Sequence, residues 1–201
     1  MQITEMIEAI QKALQIDVDG KAGSQTWGAI YSALVAKEID GASPESAISA
    51  VDPRSEAAIA TLLEPVRPMA RSLVQKCAAN GIDIKIIGGT RTYAEQDALY
   101  AQGRTKPGKI VTKARGGHSN HNFGIAFDIG VFSGTKYLGD SPKYRAAGVL
   151  GTDLGLEWGG NWTSIVDQPH FQLRPAWAAA LTEKQMLTEL RRRVAEGIDV
   201  F

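Results

Sequence analysis

The stretch SNHNFGIAFDIGVF, residues 119–132, decides the fold predicted for this chain. Residues 124–132 have the length and apolar character of a strand, and we predict one there. Residues two apart in a strand share a face, so Asp128 lies between two small residues on one face. The other face is predicted to be core: Ile125, Phe127 and Ile129. His121 lies just before the strand, so an imidazole and a carboxylate with space around it are predicted to lie close together.

A second short stretch, DQPH at residues 167–170, supplies further polar groups. The chain has three histidines, and two of them, His121 and His170, fall in the two stretches. Two imidazoles and the carboxylate of Asp128 suit Zn²⁺, and three protein ligands leave a fourth position for water. We therefore predict a zinc site at these three residues, with Asp167 as a second carboxylate three residues before the last ligand.

Helices and strands follow one another without a regular βαβ order in the rest of the chain. Further strands are predicted at Ile82–Ile86 and His170–Leu173, and Lys109–Val111 could form a short one. Apolar positions from Val66 to Cys77 predict one helix, and Asn80 and Gly81 are expected to end it. A capping box of Thr92 and Glu95 predicts the start of a second helix. A third helix is predicted from Ser141 to about Gly155, and the tail from Pro175 is also predicted to be helical. This mixture indicates an α+β fold with a small, mainly antiparallel sheet flanked by helices.

Composition divides the chain into three parts. Residues 1–40 are predicted to form a small helical module with a second helix that Ser24 would cap. Residues 41–54 are rich in small residues and contain two prolines, which is a linker composition. Residues 55–201 are predicted to be the main domain, which ends in a helix. The apolar positions of the small module are Ile3, Ile7, Ile10, Leu14, Trp27, Ile30, Tyr31 and Leu34.

Charge and cysteine content exclude several classes of protein. The chain has 22 basic and 22 acidic residues, so no overall electrostatic attraction to nucleic acid is indicated. The one cysteine, Cys77, cannot form an intramolecular disulfide, and its place on an apolar helix stripe predicts a small buried hydrophobe. No stretch has the length of a transmembrane helix, and the N-terminus lacks the pattern of a secretory signal.

The turn of the N-terminal module carries a first resemblance to known proteins. DGKAGSQTW, residues 19–27, resembles the hallmark of the small helical peptidoglycan-binding domain of cell-wall hydrolases. In that hallmark Asp-Gly and a further Gly precede a Thr-Trp pair that opens a helix, and the domain is usually longer than this module. The resemblance implies that residues 1–40 bind peptidoglycan, and the alternative is a plain helical hairpin.

The two histidine-containing stretches carry a second and more specific resemblance. The patterns S-x-H-x-x-G-x-A-x-D at residues 119–128 and D-x-x-H at residues 167–170 resemble those of the zinc D-Ala-D-Ala carboxypeptidase and L-alanyl-D-glutamate endopeptidase family, which is VanY-like. The similarity extends through residues 89–96, 101–105 and 157–160. The run LYAQGR at residues 99–104 and the aspartate before the last histidine favour the phage-endolysin branch. That branch cleaves the L-Ala–D-Glu bond of stem peptides, and the implied fold is Hedgehog/DD-peptidase-like.

The resemblance implies a role for five residues of the predicted site. His121, Asp128 and His170 match the zinc ligands of the family. Asp167 matches the general base, which takes a proton from the attacking water and passes it to the leaving amine. Arg91 matches the arginine that contacts the polarised carbonyl of the substrate.

Four neighbouring residues receive other interpretations. Ser119 matches a substrate-side polar residue of the family, and Gln96 is predicted to contact substrate because it projects from the helix after Arg91. A solvated or capping role is the alternative for Gln96. Glu157 is the rival candidate for the base, and His118 is interpreted as a loop residue because three ligands are already assigned.

Three functions are compatible with these residues. The first is a phage or prophage endolysin that cuts the L-Ala–D-Glu bond, and the second is a D-Ala-D-Ala carboxypeptidase. The third is a non-catalytic, zinc-stabilised wall-binding module, against which the presence of Asp167 and Arg91 argues. We expect Zn²⁺ as cofactor, peptidoglycan as partner, no nucleic acid, no stable membrane insertion and a monomer. The protein is expected to be made in the cytoplasm without a signal peptide and to act on the cell wall after release, in the periplasm or outside the cell.

Overall fold

The computed structural model describes residues 3–23, 25–27, 29–30, 51–163 and 165–201. The chain divides into two compact units, Met1–Ile48 and Ser49–Phe201. Several positions singled out in the sequence lie outside the described residues: Ser24, Tyr31, Leu34 and the part of the predicted linker from residue 41 to residue 50.

The N-terminal unit is organised around one buried amide. Helix α1 spans Ile3–Ala13, and its Gln11 is 1% exposed. The Gln11 amide nitrogen donates to the carboxylate of Asp19 at 2.7 Å and to the Thr26 hydroxyl at 2.9 Å, while the amide oxygen accepts from the backbone nitrogen of Gly20 at 2.9 Å. The predicted helix is present, and its first apolar residue, Ile3, is 76% exposed because so small a unit can bury few side chains.

Among the described residues, the second unit consists of five α-helices, three short 3₁₀ helices and one sheet. The α-helices of this unit are α2 (Pro53–Ala60), α3 (Val66–Ala79), α4 (Tyr93–Ala101), α5 (Lys143–Asp153) and α6 (Glu183–Glu196). The short 3₁₀ helices span Asn120–Phe123, Gly159–Asn161 and Ala176–Ala178. The strands are β1 (Ile84–Gly88), β2 (Ala126–Ser133), β3 (Lys136–Leu138), β4 (Glu157–Trp158) and β5 (His170–Gln172).

The sheet is antiparallel at every pairing and has β2 at its centre. Its strand order is β1-β2-β5-β4, and the short strand β3 pairs with the C-terminal residues of β2, Val131–Ser133. In this register Asp128 lies opposite His170 on one side and opposite Gly88 on the other. Phe127 and Phe171, also paired in register, stack with their ring centroids 5.8 Å apart. The predicted α+β class with a small antiparallel sheet is confirmed.

The predicted core face of β2 is confirmed at all three positions. Phe127 and Ile129 are fully buried in the main core, between the sheet and helices α2, α3 and α5. Ile125 is also fully buried, but in a second cluster that includes Met186 and Leu190 of α6. The strand itself begins at Ala126 rather than at the predicted Gly124, because the backbone of Gly124 is left-handed with φ at 69° and turns the chain just before the strand.

The helix ends follow the signals seen in the sequence. Thr92 and Glu95 form the predicted capping box at the start of α4. Helix α3 ends at Asn80, and Gly81 has the left-handed φ of 67° that such an end requires. Helix α2 begins at Pro53 with Asp52 as its N-cap, so these residues, which the sequence suggested as the end of a linker, belong to the folded unit.

Two strand predictions differ from the structure. Residues 109–111 form no strand, and Ile110 and Val111 are 56% and 58% exposed, because no neighbouring strand is available to pair with them. Glu157 and Trp158, for which the sequence predicted no strand, form the short strand β4 against β5. None of the helices in the described part of the chain is long and apolar enough to cross a membrane.

Candidate metal centre

Three segments bring His121, Asp128 and His170 together at the middle of the sheet. His121 lies in the 3₁₀ helix that precedes β2, Asp128 lies in β2, and His170 starts β5 directly opposite Asp128. His121 Nε2 is 3.3 Å from Asp128 Oδ1 and 3.2 Å from His170 Nδ1, and His170 Nδ1 is 3.5 Å from the same carboxylate oxygen. These three residues are the potential metal-binding group found among the described residues.

The separations between these three atoms suit a tetrahedral zinc ion. Zinc lies about 2.0–2.1 Å from its nitrogen and oxygen ligands, and the edge of a tetrahedron is about 1.63 times that length, or roughly 3.3–3.4 Å. The observed edges of 3.2, 3.3 and 3.5 Å bracket this value. The side chains of both histidines are nearly buried, whereas that of Asp128 is 25% exposed, which leaves one side of the centre accessible. The residues present therefore fit a zinc ion with one open position.

Hydrogen bonds at the far side of each ring fix which nitrogen is free for a metal. His121 Nδ1 lies 2.9 Å from the carbonyl oxygen of Gly89, which can only accept, so this nitrogen carries the proton and Nε2 has the lone pair. His170 Nε2 lies 2.9 Å from the amide oxygen of Gln172, so its Nδ1 is the free nitrogen. Gln172 was not predicted as a site residue, although its position two residues after His170 on one strand places both on the same face.

The charges of Asp128 and His170 shift each other's pKa. Burial alone would raise the pKa of the Asp128 carboxyl, but the adjacent His121 and His170 hold this pKa well below its usual range. Burial alone would lower the pKa of His170, but its hydrogen bond to Asp128 and the charge of that carboxylate raise it.

Arg91 is bound to the outer oxygen of the same aspartate. Its Nη2 donates to Asp128 Oδ2 at 3.1 Å, while Oδ1 faces the histidines. Arg91 Nη1 donates to the amide oxygen of Gln96 at 3.3 Å, and the Arg91 backbone nitrogen donates to the carbonyl of His121 at 3.0 Å. One oxygen of Asp128, Oδ1, therefore faces the two histidines, and the other, Oδ2, is held by Arg91.

Gln96 is a buried support rather than a solvent-facing residue. It is fully buried, and its amide nitrogen donates to the Thr112 hydroxyl at 3.2 Å and to the carbonyl of Ala114 at 2.9 Å. Both polar atoms of the amide are thus used by Arg91 and by the segment at residues 112–114. The complete burial of Gln96 excludes a solvated role, and its contact with substrate stays a prediction.

Asp167 lies at the turn that leads into His170. Its backbone nitrogen donates to the carbonyl of Gly159 at 3.0 Å, and its own carbonyl accepts from the backbone nitrogen of His170 at 3.2 Å. Burial raises the pKa of the Asp167 carboxyl, and the negative charge of Asp128 raises it further, against the opposite effect of nearby positive groups that include Arg91. The half-buried carboxylate of Asp167 is therefore close enough to Asp128, His170 and Arg91 for their charges to shift its pKa.

Four other residues considered in the sequence analysis have different surroundings. Ser119 is half-buried before the 3₁₀ helix, and its side chain makes no cap hydrogen bond to that helix. Glu157, the rival base, has both carboxylate oxygens bound, one by Gln172 and one by Arg174. His118 is exposed and contacts Arg191, as expected of a loop residue. Cys77 is buried, which raises the pKa of its thiol to about 12 and agrees with its predicted role as a small hydrophobe.

The amino-acid sequence is similar to those of known peptidases. A profile of the family described as D-alanyl-D-alanine carboxypeptidase matches residues 112–173, which contain all three metal-binding residues. The peptidoglycan L-alanyl-D-glutamate endopeptidase CwlK of Bacillus subtilis is 40% identical over 124 residues, which are 56% of this chain and 74% of that protein. The chain belongs to this peptidase family. It is a zinc metallopeptidase, as the resemblance of the two histidine-containing stretches implied.

Further relatives include an L-alanyl-D-glutamate peptidase of a Listeria phage, which is 31% identical over 124 residues. The matched region is 59% of this chain and 40% of the phage protein, so the chain spans less than half the length of that relative. Two solved structures are similar: the L-Ala D-Glu endopeptidase ChiX of Serratia marcescens (TM-score 0.47, 22% identity, 60% of this chain and 86% of that chain) and the D,D-pentapeptidase VanY of a VanB-type vancomycin resistance cassette in complex with Zn(II) (TM-score 0.46, 20% identity, 65% and 83%).

Proposed function

We propose that this chain is a zinc-dependent peptidoglycan endopeptidase that cleaves the L-Ala–D-Glu bond of cell-wall stem peptides. The observation that carries the proposal is the arrangement of His121, Asp128 and His170 at tetrahedral spacing with Asp167 and Arg91 beside them. The names of the two curated relatives, both L-alanyl-D-glutamate peptidases, support this choice of bond.

In the proposed reaction Asp167 is the general base. Zinc, when bound, polarises the carbonyl of the scissile peptide and lowers the pKa of water. The carboxylate of Asp167 takes the proton of the attacking water and then passes it to the amine of D-Glu as that group leaves. The raised pKa of this carboxyl suits the role, because a base works best when its pKa is close to the working pH.

Arg91 has two proposed roles in the same reaction. Its contact with Asp128 Oδ2 holds the carboxylate so that Oδ1 faces the metal position. The guanidinium is also 23% exposed next to the open side of the centre, where it can stabilise negative charge on the carbonyl oxygen of the substrate. Loss of one donor of this kind usually costs about 2.7–4 kcal/mol of transition-state stabilisation. We propose that Gln96 contributes indirectly by holding Arg91, and that Ser119 contacts the stem peptide.

A D-Ala-D-Ala carboxypeptidase is the second candidate, because the matching family profile carries that description. The two activities use the same chemical groups and differ in the bond that the open side of the centre accepts. A non-catalytic, zinc-stabilised module is less well supported, since neither Asp167 nor Arg91 is needed merely to hold a metal.

The remaining proposals concern partners and location. We propose that residues 1–40 bind peptidoglycan, that residues 55–201 hold the peptidase domain, and that the protein works as a monomer without a nucleic acid partner. The loop that the Gln11 amide organises includes the Asp19 and Gly20 positions of the wall-binding hallmark, which supports the first of these. The proposed place of action is the cell wall, reached from the cytoplasm through a separate membrane lesion.

Mass spectrometry of digested muropeptides tests the proposed function. The endopeptidase is expected to release products that begin with D-Glu, whereas a carboxypeptidase would release only terminal D-Ala. Asp167→Asn should keep its zinc and lose hydrolysis by about 10²–10⁴-fold, as expected for loss of a general base. Asp140→Asn, an exposed aspartate away from the site, is the control and should keep the full rate. Normal hydrolysis by Asp167→Asn would remove this residue from the mechanism.

A further inference from the structure

Five side chains form a closed ring of hydrogen bonds next to the metal-binding residues. Its members come from the first 3₁₀ helix, from β4 and β5 with the residues that follow, and from the first turn of α6: Asn120, Glu157, Gln172, Arg174 and Glu183. We call this arrangement the five-residue ring. Its Gln172 binds the ligand His170, and its Asn120 is the chain neighbour of the ligand His121.

The contacts of the ring can be followed from one member to the next. Gln172 Nε2 donates to Glu157 Oε2 at 2.6 Å, and Arg174 Nε donates to Glu157 Oε1. Arg174 Nη2 then donates to Glu183 Oε2 at 3.0 Å. Asn120 Nδ2 closes the ring, because it donates to Glu183 Oε1 and to Gln172 Oε1, each at 2.5 Å.

The ring determines which way the amide of Gln172 points. An ionised carboxylate can only accept hydrogen bonds, so Glu157 requires the NH₂ group of Gln172 to face it. The amide oxygen of Gln172 must then face His170, and this oxygen requires a proton on Nε2 of the imidazole. The tautomer that leaves Nδ1 free for zinc is therefore fixed through Gln172 by a carboxylate that touches neither the metal nor the imidazole.

A buried polar atom without a partner supports this reading of the ring. Asn120 is 4% exposed, and its Oδ1 has no hydrogen-bond partner among the described residues. Rotating the Asn120 amide would give this oxygen no better place, because both of its present partners are acceptors. Asn120 therefore keeps its donors on the ring and leaves its acceptor unsatisfied, which indicates that the ring orients its members strongly.

We propose that Glu157 is a positioning residue for the metal centre, which selects the Nε2-protonated tautomer of His170 through Gln172, and that Glu183 of α6 assists by holding Arg174 and Asn120. The C-terminal helix is thereby linked to metal retention. This inference rests on the proposed zinc site, but it requires no particular substrate, so its tests can fail while the assignment of the cleaved bond stands.

Glu157→Gln is the decisive variant because it keeps the shape and removes one acceptor. Arg174 and Gln172 donate to different oxygens of Glu157, and a glutamine has an acceptor at only one of these two positions, so only one of the donors can keep its bond. The charged guanidinium makes the stronger hydrogen bond, so we expect Gln172 to turn over and present its NH₂ group to His170. The His170 ring would then carry its proton on Nδ1, where zinc has to bind.

Two measurements on the full chain follow this change. Nitrogen-15 NMR of the zinc-free protein, recorded at a pH high enough for the His170 ring to be neutral, should show this ring protonated on Nε2 in the wild type and on Nδ1 in Glu157→Gln. Transfer of zinc to a chromophoric chelator should be about 10–100-fold faster from the variant, the usual effect of losing a partner of a metal ligand. Glu189→Gln, which removes ion pairs on α6 outside the ring, is the control and should release zinc at the wild-type rate.

An exchange of the two side chains separates positioning from packing. In the double variant Glu157→Gln with Gln172→Glu, the amide at 157 can donate to the carboxylate at 172 and accept from Arg174, and the carboxylate faces His170. We expect this exchange to restore the Nε2-protonated tautomer and slow zinc release, whereas Gln172→Leu should not.

Two results would overturn the proposal. One is an unchanged His170 tautomer in Glu157→Gln together with zinc release within twofold of the wild type. The other is a double variant that releases zinc as fast as Glu157→Gln does. If Glu157→Gln does not fold, Glu183→Gln replaces it, because the Glu183 side chain is 45% exposed; zinc release at the wild-type rate from a folded Glu183→Gln would then count against the ring.

Discussion

The turn that carries Asp167 and His170 is packed so closely on Gly159 that a single methyl group should displace it. A Cβ added to Gly159 would lie 2.5 Å from the carbonyl oxygen of Asp167 and 3.1 Å from the Cβ of His170. Close carbon–oxygen contacts in proteins are about 3.3 Å, so Gly159→Ala requires a shift of roughly 0.8 Å. The carbonyl cannot rotate away freely, because it accepts a hydrogen bond from the His170 backbone nitrogen at 3.2 Å.

The expected loss of activity follows from this displacement. A misplacement of about 1 Å at an active site can cost roughly 10²-fold in rate, which is about 2.7 kcal/mol of transition-state stabilisation. In Gly159→Ala the shift carries the proposed base and one metal ligand together. We therefore expect kcat/KM for an L-Ala–D-Glu substrate to fall by about 30–100-fold at saturating zinc.

A second glycine provides the matched control for stability. Gly134 has a left-handed φ of 60° and open space where a Cβ would go, so Gly134→Ala should lose about 1–2 kcal/mol of stability through backbone strain alone. This variant should keep the wild-type kcat/KM, measured under conditions where both variants are folded. A Gly159→Ala enzyme with kcat/KM within threefold of the wild type would refute the reasoning, since the turn would then have moved without consequence.

The other predictions concern the metal and the first helix of the second unit. His121→Ala or Asp128→Ala should lose zinc, and a stoichiometric ion in either purified variant by elemental analysis would refute this ligand set. Chelation should lower the Tm by about 8–16 °C, because zinc at about a thousand times its Kd adds roughly 4 kcal/mol to a domain of this size; an unchanged Tm by calorimetry would mean that the ion stabilises nothing. Burial by itself would raise the pKa of Asp52, the N-cap of α2, but hydrogen bonds from the Ser55 hydroxyl and backbone lower it. The stability that Asp52 contributes is thus present above its usual pKa and is lost as the pH falls through the lowered value. Urea unfolding at pH 5 and pH 3 should show a smaller loss in Asp52→Asn, which keeps the cap but cannot ionise, and an equal loss in both proteins would contradict it.

Local signals predicted those parts of the fold that short stretches of chain determine. The capping box at Thr92, the end of α3 at Gly81 and the strand around Asp128 all depend on neighbours in sequence, and the structure has them. That His121, Asp128 and His170 lie together was predictable for a similar reason, because each residue type and spacing limits the chemistry. Ser119 and the boundaries of the N-terminal module stay predictions.

Contacts between distant residues could not be derived in this way. Gln96 projects from a helix after Arg91, and only the packing of the segment at residues 112–114 makes it a buried support. Ile110 and Val111 have strand-forming side chains, but no strand lies beside them to pair with. The five-residue ring draws on residues 120 to 183, and no periodicity within a single element reveals it. Such networks depend on tertiary arrangement rather than on local preference.

The pairing of Asp128 with His170 makes the metal centre a check on strand register. These two residues are directly opposite in the β2–β5 ladder, and a slip by one residue would bring Phe171 opposite Asp128 and turn the histidine to the other face. A misregistered chain could therefore still bury apolar side chains but could not complete the ligand triad. Zinc affinity during refolding would report the moment at which the correct ladder has formed, and the ion would favour the native pairing over its slipped competitors.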